Sequence, residues 1–141
     1  MQKKYFTKAE QKAAKARKDN KWAQKHYYTE SGRGSRLVST AKARAKVKGR
    51  EFNLTVEWGV AKIKAGVCEL TGLPFDLGSP TGKGSSAGPR PYAPSIDRID
   101  PNIGYTPENS RMILNCVNAF KNIMPDDEMY IVAQALVKER S

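Results

Sequence analysis

The sequence predicts an α+β chain: a two-stranded hairpin and a short helix at its centre, further helices around them, and a basic helical extension in front. Three observations lead there. Between Pro94 and Lys121, a short apolar-alternating run is followed by a Gly/Pro turn, a second apolar run and a helical pattern, an order that reads strand, turn, strand, helix. Upstream lie Ala-, Lys- and Gln-rich stretches that favour helix by propensity. Charge is also divided along the chain: residues 1–50 carry 16 Lys/Arg against 3 Asp/Glu, and residues 51–141 carry 9 against 11.

The elements follow in order. From Thr7 to Lys25 there is no Pro or Gly, and the apolar positions are mostly alanine, so a helix forms with little to bury. Ser31-Gly-Arg-Gly-Ser35 reads as a flexible joint. Arg36 to Lys48 is a second basic helix closed by Gly49, and Thr55 to Ala65 a third, with Thr55 as N-cap and Gly66 at its end. Val67 to Phe75 reads as strand, tight turn and strand. Residues 76–93, rich in Gly, Pro and Ser, form an exposed mobile loop. Ser95–Ile99 and Arg111–Leu114 are the hairpin strands, and Asn115–Asn122 the helix after them. Pro125-Asp-Asp-Glu128 opens a last helix, whose packing face is Met129, Ile131, Val132, Ala135, Leu136 and Val137.

At 141 residues the chain holds one modest core, which divides it into a basic arm, 1–50, and a folded domain, 51–141. The formal charge of +11 belongs to the arm, where aromatics interleave with lysines, a composition suited to nucleic acid. No apolar run is long enough for a bilayer, and the N-terminal lysines lack the apolar block of a secretory signal. Two cysteines, Cys68 and Cys116, build no disulfide framework, so a cytoplasmic setting is expected.

The chemistry gathers in the hairpin. Asp97 and Asp100 end the first strand, and Asn109 and Asn118 follow the turn; carboxylates and carboxamides brought together in this way can hold a hard divalent cation beside a phosphate. Lys42, Arg44, Lys46, Lys48 and Arg50 spread charge around the second helix and its exit, which suits phosphate tracking rather than base readout. Arg111 and Lys121 are further candidates for the DNA backbone. His26, beside Tyr27 and Tyr28, suits a surface or stacking role, and Gly82-Lys-Gly84 reads as linker because it lacks P-loop spacing.

Cys68-Glu-Leu-Thr-Gly-Leu-Pro-Phe75, Pro94-Ser-Ile-Asp-Arg-Ile-Asp100, Gly104-Tyr-Thr-Pro-Glu-Asn109 and Asn118-Ala-Phe-Lys121 occur in this order. The block resembles phage-type HNH endonucleases of the ββα-metal (His-Me finger) group. The resemblance implies a ββα-metal core, with Asp97 and Asn118 as ligands of one Mg²⁺ or Mn²⁺ ion and Asn109 as the clamp of the loop between the strands. It implies a metal-dependent DNA endonuclease hydrolysing phosphodiester bonds. The pattern departs at Arg98, where the family has a His. A guanidinium stays protonated, so Arg98 is suited to binding phosphate and Asp100 becomes the candidate base. That departure keeps open a catalytically inactive HNH-like module that binds DNA or a partner, and more remotely a basic RNA-binding protein. Relatives often carry two zinc knuckles of four cysteines. Here Thr71, Leu114 and Val117 stand at cysteine positions, so no structural zinc is expected, and Leu70, Leu73, Phe75, Leu114 and Val117 pack in its place.

Overall fold

A computed structural model describes residues 7–78 and 90–140, with residues 16–24 described by their backbone. Most of the expected 76–93 loop, including Gly82-Lys-Gly84, lies outside the described residues. The order is α1 (Lys8–Tyr27), α2 (Glu30–Lys48), α3 (Val56–Ala65), β1 (Pro94–Arg98), β2 (Ser110–Leu114), α4 (Asn115–Lys121) and α5 (Asp126–Arg140). The predicted α+β class is therefore the observed one, a two-stranded antiparallel hairpin among helices.

Local sequence explains most helix ends. Thr7 and Glu10 form a reciprocal capping box at the start of α1. Thr55 caps α3, accepting from the Trp58 amide at 3.1 Å, and Gly66 ends it with φ of 80°. Gly49 closes α2 with φ of 64°. The first amides of α4 are met from outside: Asn115 N donates to Ala93 O at 2.8 Å and Cys116 N to Pro91 O at 2.9 Å.

The joint expected at residues 31–35 is helix instead. Thr29 caps α2, so the helix starts at Glu30, and Gly32, Arg33 and Gly34 are buried within it. Glycine inside a helix costs about 1 kcal/mol relative to alanine. At Gly34, what offsets that cost is contact with α3. A Cβ on Gly34 would lie 2.7 Å from Val60 N, and one on Gly59 would lie 2.8 Å from Gly34 O and 2.6 Å from the Val38 side chain. The two backbones cross with no room for a methyl group. Arg33 is held beside this crossing, its guanidinium 4.4 Å from the Tyr27 ring centroid and donating to Leu77 O at 3.1 Å.

Two apolar clusters result. Val38, Ala41 and Ala45 of α2 join Leu54 and Tyr105, with Phe52, Trp58 and Ile96 packed against them. The inner face of α2 thus shares a core with residues on the far side of the division expected at residue 50. Cys68, Ile113 and Leu114 form the second cluster with Leu70, Phe75 and Val117, whereas Leu73 is exposed. The expected strands in 67–75 reduce to one bridge, Val67 to Pro74, around a turn in which Gly72 has φ of 72°. Burial alone would raise the pKa of the Cys68 thiol. The Thr71 side chain and the amides around it, among them Leu114 N at 3.4 Å, outweigh burial and lower it.

α5 departs from expectation along its length. Met129 is buried, but Ile131, Leu136 and Val137 are 66%, 61% and 70% exposed, so most of the expected packing face points away from the core. Among the described residues, no helix is long and apolar enough to cross a membrane.

The tight crossing makes a prediction. Gly59→Ala should destabilise the fold by about 1–3 kcal/mol through overpacking against Gly34 and Val38, read as a lowered midpoint in chemical denaturation. Gly49→Ala, where nothing lies near the missing Cβ, should cost less and act only through its positive φ.

Candidate functional site

The hairpin register pairs Asp97 with Arg111 and Arg98 with Ser110. Alternation along β1 therefore sends Ser95 and Asp97 to one side, and Ile96 and Arg98 to the other. α4 lies across the first side. Asn118 and Lys121 are one turn apart on that helix, so both reach β1. The Asn118 amide nitrogen is assigned as donating to Ser95 Oγ at 2.8 Å and to Ile96 O at 3.3 Å. Lys121 Nζ meets Asp97 Oδ2 at 3.0 Å and Oδ1 at 3.2 Å.

Asp97 is 5% exposed, and its second partner is Arg111, whose Nε donates to Oδ2 at 2.8 Å. Arg111 also grips Asp126 with two bonds, of 2.9 and 2.7 Å, a fork-to-fork pair reaching the first turn of α5. Lys121 lies 3.4 Å from the same carboxylate. Two acids and two bases thus form one closed network joining β1, β2, α4 and α5. Hydrogen bonds from Arg111, opposed by partial burial and helped by the charges of Arg111 and Lys121, hold the Asp126 carboxyl below its ordinary range. Burial works against the Arg111 charge, but Asp126 and Asp97 outweigh it and raise the Arg111 pKa.

The loop between the strands is organised by Asn109, which is buried. Its Oδ1 accepts from Asp100 N at 2.9 Å, and its Nδ2 donates to the carbonyls of Asp100 and Gly104, each at 3.0 Å. One carboxamide therefore ties together both ends of the turn that follows β1. Asp100 itself is exposed and lies beyond the end of β1, its Oδ1 accepting from Asn102 N at 2.9 Å. It does not share a strand face with Arg98, because the strand has already ended.

Arg98 points the other way, toward α2. Its Nη1 donates to Pro101 O at 2.7 Å and its guanidinium lies 5.3 Å from the centroid of the Tyr105 ring. Arg50 donates to the same Pro101 carbonyl at 2.7 Å. The two arginines line an open pocket of about 540 Å³ with Arg44 and Lys48, walled by Val47 and Tyr105. Lys42 and Lys46 are exposed on the other face of α2. Four cationic side chains around one concave surface suit an anion such as a backbone phosphate.

Two expectations change at the hairpin. Arg111 and Lys121, expected at the DNA backbone, have side chains 11% and 1% exposed and neutralise Asp97 and Asp126 instead. The expected metal pair, Asp97 and Asn118, does not fit an ion as the side chains stand. Both Asp97 oxygens are bonded to cations, and the Asn118 amide nitrogen is bonded to β1. Among the described residues no group of three or more His, Cys, Asp or Glu could hold a metal. The contribution of Asp126 was missed because an acid in a first helical turn already has a sufficient role in complementing the dipole. Its place just after Pro125, close behind Lys121, was the available signal.

No family model and no curated protein matches the chain. Among solved structures, it is similar to the rare-cutting HNH restriction endonuclease PacI, with a TM-score of 0.54 and 18% sequence identity, covering 75% of this chain and 78% of that one. The likeness establishes an HNH-type α+β fold, in agreement with the hairpin and helix found here.

The closed network makes two predictions. Asp97→Ala, which leaves buried Lys121 and Arg111 to share the single carboxylate of Asp126, should cost about 3–5 kcal/mol in denaturant unfolding. A carboxylate with a depressed pKa stabilises the fold above its free value, here 3.8, and gives that up as pH falls through the lowered one. Stability measured from about pH 5 down to pH 2 should therefore fall, and Asp126→Asn should start less stable and flatten that slope.

Proposed function

We propose that this chain is a DNA endonuclease of HNH fold that grips the phosphate backbone with the pocket beside β1. The observation that carries the reading is the convergence of Arg44, Lys48, Arg50 and Arg98 on one concave surface, next to a hairpin whose loop is clamped by Asn109. The fold it shares with a DNA-cutting enzyme supports the same reading. In this proposal Arg98 binds the scissile phosphate and offsets charge that builds on it in the transition state. Asp100, exposed and adjacent to the carbonyl that holds Arg98, accepts the proton of the attacking water. Asn109 keeps both in place through the loop. Mg²⁺ or Mn²⁺ would supply Lewis-acid polarisation of the phosphate when bound. Beside Asp97 such an ion would bind only by displacing the cations already paired there.

A second reading, a catalytically silent HNH-fold module that binds DNA, is favoured by two observations: Arg98 in place of an imidazole, and Asp97 closed into ion pairs.

Supercoiled plasmid incubated with the protein and Mg²⁺ or Mn²⁺ distinguishes them. The nuclease reading expects nicking, with the rate lowered at least about 100-fold in Asp100→Asn while DNA binding is kept. Binding without cleavage across metals and pH establishes the silent module, and absence of DNA binding removes both readings. Binding itself should weaken with salt, and Arg44→Ala or Lys48→Ala should each reduce the slope of log K against log salt by about one.

A further inference from the structure

We infer that Lys121 is the resident cation of the hairpin centre: its ammonium fills an oxygen cage that a divalent ion enters only by displacing it. Five oxygens surround Nζ. They are Asp97 Oδ2 and Oδ1 at 3.0 and 3.2 Å, Arg98 O at 2.9 Å, Ile99 O at 3.2 Å, and Asp126 Oδ1 at 3.4 Å. Two carboxylates and two main-chain carbonyls make a donor set suited to a hard cation. An ammonium has three protons to share among these five atoms, so the surplus oxygens are held by charge rather than by dedicated hydrogen bonds.

The rest of the residue agrees. Lys121 is 1% exposed, so it has left water entirely, which only full compensation of its charge allows. Its carbonyl partners, Arg98 and Ile99, lie where β1 ends and the chain turns toward Asp100, so the ammonium also fixes the start of the loop. Its own backbone sits at the last turn of α4, one turn after Asn118. The lysine thus joins the same strand and helix that a bridging ion would join, and does so as part of the chain. Arg111 covers the remaining approach to Asp97, donating to Oδ2 at 2.8 Å.

This inference deepens the metal side of the proposed function. Its readout is ion binding, which can fail or succeed independently of DNA cleavage. Lys121→Met keeps the length and the apolar stem of the side chain while removing its charge. Mn²⁺ binding to the full-length protein is followed by the electron paramagnetic resonance of the free ion, and stability by thermal melting with Mn²⁺ or with EDTA. Lys121→Met should bind Mn²⁺ at least about tenfold more tightly than the wild type, and its melting temperature should rise with Mn²⁺ and fall with EDTA. Adding Asp97→Asn should remove the gain. The wild type should melt at the same temperature in Mn²⁺ and EDTA.

A wild-type protein that binds Mn²⁺ as tightly as Lys121→Met, or whose melting temperature rises by several degrees with the ion, overturns the inference. So does a Lys121→Met protein that is folded but gains no affinity, or one that refuses to fold even with Mn²⁺ present.

Discussion

The buried carboxylate of Asp97 is the constraint on which the hairpin region is built. A charge that is 5% exposed must be met by opposite charge, or its desolvation would cost several kcal/mol. Lys121 and Arg111 meet it, and each comes from a different element. Arg111 in turn draws in Asp126, so the compensation of one strand residue positions β2, α4 and the beginning of α5. Met129 is the buried apolar contact of α5, and beyond it Ile131, Leu136 and Val137 are largely exposed. The ion pairs, more than apolar burial, therefore locate that helix.

A second constraint acts on the opposite side of β1. Gly34 and Gly59 let α2 and α3 approach closely enough that Val38, Ala41 and Ala45 meet Leu54 and Tyr105. Tyr105 follows Gly104, which is itself pressed against the Glu51 backbone, and the Tyr105 amide donates to Glu51 O at 2.9 Å. The chain leaving α2 and the loop leaving β1 are thereby joined. That junction brings Arg44, Lys48 and Arg50, from one part of the sequence, against Arg98 from another. A basic stripe that would otherwise be a solvated rod becomes one wall of a pocket.

The two sides of β1 thus divide the work. Facing α4, charge is cancelled internally and excluded from water; facing α2, positive charge is gathered and left open. The alternation of a single five-residue strand produces this division, since neighbouring residues Asp97 and Arg98 must point apart. Asn109 serves both sides. By holding Asp100 and Gly104 it shapes the turn from which Pro101 presents its carbonyl to Arg98 and Arg50.

Much was legible from residues alone. Alternation in Ser95–Ile99, the Gly/Pro turn, the caps at Thr55, Gly49 and Gly66, and the helical run after Leu114 determine the elements, because each depends on local backbone preference and near neighbours. Three features needed the folded chain. Helix through Gly32 and Gly34 contradicts local propensity and exists because the His26 backbone lies against the first glycine and α3 packs on the second. The exposure of Ile131, Leu136 and Val137 could not be read from their apolar pattern, which says which face would be buried but not whether a partner reaches it. Above all, the sequence placed Asp97, Arg111 and Lys121 in one block, with Asp126 in the first turn of the next helix, without saying which charges would neutralise which. Electrostatic partnership depends on distance and burial in three dimensions, so only the tertiary structure turned two expected DNA contacts into counter-ions of a buried acid.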